Sequence, residues 1–101
     1  MPNVSVIAKI TAQEGKRDDL IAALQAAFVH VDDEAGTIYY ILHTDDSEAN
    51  LLWMYELYAD QAALVAHSGS AWFKAWGPTL APFMAARPVL TFVTPVAGKG
   101  L

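Results

Sequence analysis

Residues 51–58 read LLWMYELY, and the alternation along this stretch decides the fold. A strand sends successive side chains to opposite faces. Leu51, Trp53, Tyr55 and Leu57 therefore share one face, and Leu52, Met54, Glu56 and Tyr58 the other. Apart from Glu56, both faces are apolar or aromatic. A strand that is apolar on both sides is buried on both sides, so each face of its sheet needs a cover.

The neighbouring segments supply one. Upstream, TIYYILH (37–43) reads as a second strand. The polar turn TDDSEAN joins it to 51–58, most simply as an antiparallel hairpin. Further back, VSVIAKITA (4–12) is β-branched and bounded by Gly15, which makes it a strand. KRDDLIAALQAAFVHV (16–31) places Leu20, Leu24, Ala27, Phe28 and Val31 at helical spacing, with Lys16, Arg17, Asp18 and Gln25 off that stripe. This predicts one amphipathic helix, ended by DDEAG. Downstream, Asp60 is placed to cap a short helix, QAALVAH. After SGS, a longer helical stretch carries Trp72, Phe73, Trp76, Leu80, Phe83 and Met84 on one face. Gly77, Pro78 and Pro82 must kink or break it, because proline lacks the N–H and clashes with the preceding turn. PVLTFVTPV (88–96) is the last strand and AGKGL a tail.

The order is β-α-β-β-α-β, an α+β ferredoxin-like split unit with its helices on one face of an antiparallel sheet. The other face of 51–58 is then left bare. A second copy of the chain is the expected cover, giving a sheet-on-sheet homodimer.

Composition narrows the function. The 101 residues suit a single domain over 1–101, with its core in 4–96. They are 54% hydrophobic, against a net charge of −5. No basic face exists for a nucleic acid. Cysteine is absent, which removes disulfides, thiolate metal sites and cysteine nucleophiles together. No signal-peptide pattern opens the sequence, and no apolar run approaches the roughly 18 residues of a membrane span. The default expectation is a cytoplasmic protein without membrane contact.

With its elements placed, the chain resembles the antibiotic biosynthesis monooxygenase family of dimeric α+β barrels. The landmarks are VIAKITAQEGKRDDLIAAL, EAGTIYYILH and YELYADQAALVAHSGSAWF, within a match running from Val4 to Val96. Similar scaffolds host quinol and anthrone oxygenases, haem-degrading oxygenases and a phosphorylated-dione isomerase. The departures matter as much. The asparagine, tryptophan and tyrosine that the anthrone oxygenase offers its substrate fall here on Met54, Tyr58 and Leu64, and its helical arginine has no counterpart. The iron-binding histidine of the haem-degrading branch falls on Gly77, which disfavours haem chemistry. Where many relatives read S-P-H-F this chain reads SAWF, so Trp72 replaces a frequent histidine. The histidine closing the preceding helix does match, as His67.

Two residues stand out as chemistry. His67 lies on the stripe of Ala63 and Leu64 and faces the sheet. It is either a core histidine satisfied by its neighbours or a base in a cavity. Glu56 shares the face of Met54 and Tyr58, where a carboxylate is costly to bury unpaired. A Glu56–His67 pair would orient the imidazole and raise its basicity. Otherwise Glu56 bonds a backbone group or a tyrosine hydroxyl and only fixes packing. Tyr40, Trp72, Phe73 and Trp76, with Met54 and Leu64, are core by default but would also wall a pocket for a flat aromatic ligand. No His/Asp/Glu spacing suggests a metal, and His30 with Glu34, at the end of the first helix, reads as solvated surface.

The resemblance and these residues imply a monooxygenase of an electron-rich phenol, quinol or anthrone, needing O₂ but no cofactor and no metal. His67 would be the base, Glu56 its orienter, and Tyr58 or Tyr40 donors to the developing oxyanion. The alternatives are an isomerase of a small phosphorylated dicarbonyl, which would need cations at the cavity, and a non-catalytic ligand-binding or dimerisation module.

Overall fold

The computed structural model describes residues 2–101. Its strands are β1 (Val4–Thr11), β2 (Thr37–Thr44), β3 (Leu51–Tyr58) and β4 (Val89–Val93). Its helices are α1 (Arg17–Gln25), α2 (Phe28–Val31), α3 (Gln61–Ser68) and α4 (Ala71–Leu80), the last running into a 3₁₀ turn at Ala81–Phe83. The sheet order is β2-β3-β1-β4, and every neighbouring pair is antiparallel. This is the ferredoxin-like arrangement expected from the β-α-β-β-α-β order of elements.

The expected helix over 16–31 is two helices. Ala27 N–H closes a tight turn on Leu24 O at 3.2 Å, and a new helical turn starts at Phe28. Both alanines at the break are good helix formers, so packing and not propensity places it. The apolar stripe runs straight through, with Leu20, Leu24, Ala27 and Val31 all buried. In α4 the disruption foreseen from proline is mild. Pro78 sits in the last turn, and the helix gives way two residues later to the 3₁₀ turn that holds Pro82. The last strand is shorter than 88–96, covering Val89–Val93.

The core lies between the inner sheet face and the helices. Ala8, Ile10, Leu52 and Met54 meet Leu20, Leu24 and Leu80 there. The register places Ile7 opposite Tyr55 and Tyr55 opposite Ile41, so these three share the outer face. Among the described residues no helix covers that face, and Ile7, Tyr39, Ile41 and Val93 are 37–45% exposed on it. Residues of the C-terminal segment, Pro95 and 97–101, border a shallow hollow against Tyr39, Tyr55 and Leu57 at one side. Among the described residues no helix is long and apolar enough to cross a membrane.

Candidate functional site

A cavity of about 480 Å³ opens between the inner face of the sheet and helices α3 and α4. Val6, Ala8, Met54 and Glu56 form its floor, and Leu64, His67, Phe73, Trp76 and Leu80 its roof. Tyr40 closes one side. Arg87, Leu90 and Phe92 also line it while remaining exposed, which marks the β4 side as the mouth. The side chains are overwhelmingly apolar, so the few polar groups decide the chemistry.

His67 is brought to the roof by a helix whose start is well specified. The Asp60 side chain accepts the Ala63 N–H at 2.8 Å, as its sequence position suggests. At the other end the Ser70 hydroxyl donates to the His67 carbonyl at 2.8 Å. The imidazole is 3% exposed. Rings of Tyr40, Tyr58, Phe73 and Trp72 surround it, with centroids 5.0–5.4 Å away.

The expected partner of this imidazole is not the one it has. Nδ1 of His67 lies 2.8 Å from Oε1 of Glu34, and Glu56 makes no hydrogen bond to it. Glu34 belongs to the loop before β2. It also accepts from the Thr37 hydroxyl at 2.8 Å and, through Oε2, from the Trp72 indole N–H at 3.0 Å. The solvated end of a helix is thus a saturated carboxylate with 18% side-chain exposure. Burial pushes its pKa up, but the hydrogen bonds from His67, Thr37 and Trp72 outweigh this and leave it below the ordinary carboxylate value. An ionised carboxylate only accepts, so Nδ1 carries a proton and Nε2 of a neutral ring is a bare lone pair. That Nε2 is buried and has no hydrogen-bond partner.

Glycine at 36 makes this pairing possible. A Cβ there would stand 2.5 Å from the Ala63 Cβ, so only glycine lets the loop lie against α3. The Gly36 carbonyl accepts the Ala59 N–H at 2.9 Å, tying the loop to the end of β3. EAGT (34–37) holds the signal that spacing arguments passed over: a carboxylate, a close-approach glycine and a hydroxyl donor within four residues.

Glu56 has a different partner. The Tyr58 hydroxyl donates to Oε1 at 2.5 Å, the tyrosine alternative that strand alternation leaves open. Burial pushes the Glu56 carboxyl up to about 7, with the Tyr58 hydrogen bond pulling the other way. Burial also raises the Tyr40 and Tyr58 phenols, so both remain neutral donors. Two carboxyl groups on one small domain are therefore driven apart, which is how acid and base roles separate.

Of the residues singled out from sequence, Tyr40, Met54, Glu56, Leu64, His67, Phe73 and Trp76 all line the cavity. Two do not. Tyr58 is fully buried beneath Glu56 and reaches the cavity only through that carboxyl. Trp72 turns away to bond Glu34 and to stack on His30 at 4.9 Å. An indole N–H among apolar groups needs an acceptor, and Glu34 is the one it finds. Gly77 is on the cavity wall with open space where a side chain would stand, so it offers no donor to a metal. No cluster of three or more His, Asp or Glu side chains among the described residues could hold a metal ion.

Comparison with known proteins agrees with this architecture. The family model described as Antibiotic biosynthesis monooxygenase matches residues 3–78. The chain is similar to protein PA3566 of Pseudomonas aeruginosa, at 27% identity and a TM-score of 0.85, over 96% of this chain and 97% of that one. It is 28% identical to a Caulobacter crescentus protein provisionally named an antibiotic biosynthesis monooxygenase, with 95% and 92% of the two chains covered and a TM-score of 0.79. Rv0793 of Mycobacterium tuberculosis shares the fold, with a TM-score of 0.87 at 23% identity over 97% and 99% of the chains. No curated protein matches the chain. Over a match that spans most of its length, the chain belongs to the antibiotic biosynthesis monooxygenase family.

Proposed function

We propose that this protein is a cofactor-independent monooxygenase of an electron-rich phenol, quinol or anthrone-like molecule, working as a homodimer. The observation that carries the reading is that His67 lines an apolar cavity with its ring held through Nδ1 by Glu34 and its Nε2 left without a hydrogen-bond partner. A base needs an unengaged ring nitrogen and a fixed ring orientation, and this histidine has both.

On an anthrone-like substrate, Nε2 takes a proton from the acidic CH₂ group and leaves a delocalised carbanion. The carbanion gives one electron to O₂, and the resulting radical and superoxide combine as a C–O–O⁻ peroxide. The imidazolium or the Glu56 carboxyl returns a proton, and loss of water leaves the new carbonyl. One oxygen atom of O₂ ends in the product and the other in water. Glu56 replaces its expected orienting role with this one: with a pKa near 7 it exchanges a proton with the cavity readily. Tyr58 holds that carboxyl from below, and Tyr40 is a neutral donor beside it. Phe73, Trp76, Met54 and Leu64 supply the flat apolar walls and keep out water.

The phosphorylated-dicarbonyl alternative finds less support, because Arg87 alone among the described cations lines the cavity. Oxygen uptake across a panel of quinols and anthrones, comparing the protein with its His67→Ala variant, tests the proposal. No uptake with any member, by protein that binds them, would leave a ligand-binding module as the better reading.

A further inference from the structure

We propose that Arg87 anchors a carboxylate on the substrate, so that the preferred substrate is an aromatic acid and not a neutral quinol. This rests on the quinol reading of the cavity and adds to it a substrate class.

The chain has six lysines and arginines against eleven aspartates and glutamates. Among the described residues no lysine or arginine makes an ion pair with an acid, and Arg87 is the one of the six that lines the cavity. Among the described residues the one ion pair is His67–Glu34, and no side-chain hydrogen bond involves Arg87. It lines the cavity at the exposed rim, next to Pro88 and near Leu90 and Phe92. A guanidinium against an apolar wall is less screened than one in open water, and its fork matches a carboxylate bidentately.

Its position is also built. Ala85 N–H donates to Thr11 O at 2.8 Å, and Gln13 Nε2 donates to Met84 O at 3.1 Å. Met84 bridges to Ala12. The chain is thus tied to the end of β1 two residues before Arg87. Pro88 then restricts Arg87 to extended backbone. The mouth carries one positive charge, and Glu56 lies on the floor of the same cavity. One cation suits a monoanion, whereas a phosphoryl dianion would want a second cation and would be repelled by an ionised Glu56. The geometry orders the substrate: acidic protons inward toward His67 and Glu56, the carboxylate outward at Arg87.

The test is a matched pair of probes, 1,4-dihydroxynaphthalene and 1,4-dihydroxy-2-naphthoate, titrated calorimetrically without oxygen so that both stay reduced. The protein should bind the acid roughly fivefold to tenfold more tightly than the neutral quinol. Arg87→Gln should bring that ratio to about one, Arg87→Lys should keep part of it, and about 0.5 M salt should shrink it. Equal affinities in the unmodified protein, or a preference that survives Arg87→Gln, would overturn the proposal. So would failure of both probes to bind. Because the ratio is read without turnover, it is separate from the oxygenase reading, which fails if both probes bind but the protein speeds the oxygen uptake of neither above its rate in buffer alone.

Discussion

Nδ1 of His67 and Oε1 of Glu34 lie 2.8 Å apart, although 33 residues separate them in the chain. The contact spans the loop before β2 and the helix after β3, and it converts a buried imidazole into one with a defined tautomer. Glu34 is the hub, since the same carboxylate holds Thr37 and Trp72. Glu34→Ala leaves three donors without an acceptor and should destabilise the protein by about 2–3 kcal/mol. Glu34→Gln keeps an acceptor and should cost less. The lowered pKa adds a pH signature. Its stabilisation is full above the ordinary carboxylate value of 4.5 and is lost as pH falls through the lower, folded value. Urea titrations from pH 7 to 3 should show that loss in the native protein and a smaller one in Glu34→Gln.

His67→Ala should slow turnover by about 10²–10⁴-fold, the usual worth of a general base, while the fold survives. A large fall in melting temperature with turnover per folded protein unchanged would assign the ring to packing alone. Steady-state oxygen uptake paired with calorimetry separates the two.

Glu56 carries the opposite linkage from Glu34. Its folded pKa of about 7 lies above the ordinary 4.5. Between those values the folded state keeps a proton that the unfolded chain has lost, so this group lowers stability as pH rises from 4.5 to 7. The full effect is at most roughly 3 kcal/mol, and water entering the cavity reduces it. Glu56→Gln still accepts from Tyr58 and cannot ionise. Denaturation at pH 8 should therefore find it more stable than the native protein, with the two converging near pH 4. Its turnover should fall, but by less than that of His67→Ala.

Gly36→Ala tests how the site is assembled. The added methyl meets the Ala63 Cβ at 2.5 Å, so the loop or α3 must shift. The expected cost is about 1–3 kcal/mol. Because Glu34 is two residues away, turnover should fall along with stability. Loss of stability with turnover per folded protein intact would show that Glu34 keeps its place without the glycine.

The outer face predicts association. Ile7, Tyr39, Ile41 and Val93 leave an apolar patch that no helix covers. Sedimentation should find a dimer at micromolar concentration, and Ile41→Glu should shift it toward monomer. A monomeric native protein would remove the sheet-on-sheet arrangement.

What was legible in the sequence is what local geometry dictates. Period-two alternation put Met54, Glu56 and Tyr58 on one face and Trp53 and Tyr55 on the other, because a strand offers its side chains no third choice. Helical spacing turned His67 toward the sheet, and Asp60 marked the start of its helix by the chemistry of a single cap. Period also carried the stripe of Leu20, Leu24, Ala27 and Val31, but not the break at Ala26–Ala27, which neither alanine encodes. Partners were another matter. Glu56 and His67 do line one cavity, yet sharing a cavity does not make a bond. Tyr58 is already beside Glu56 on its own strand, and Glu34 reaches His67 because a loop lies on a helix at glycine distance. Trp72 went with Glu34 for the same reason: its N–H needed the nearest acceptor, and only the packing of separate elements determined which acceptor that was. Faces follow from bond geometry within a few residues, whereas hydrogen-bond partners follow from separations of a few ångströms between segments that are far apart along the chain.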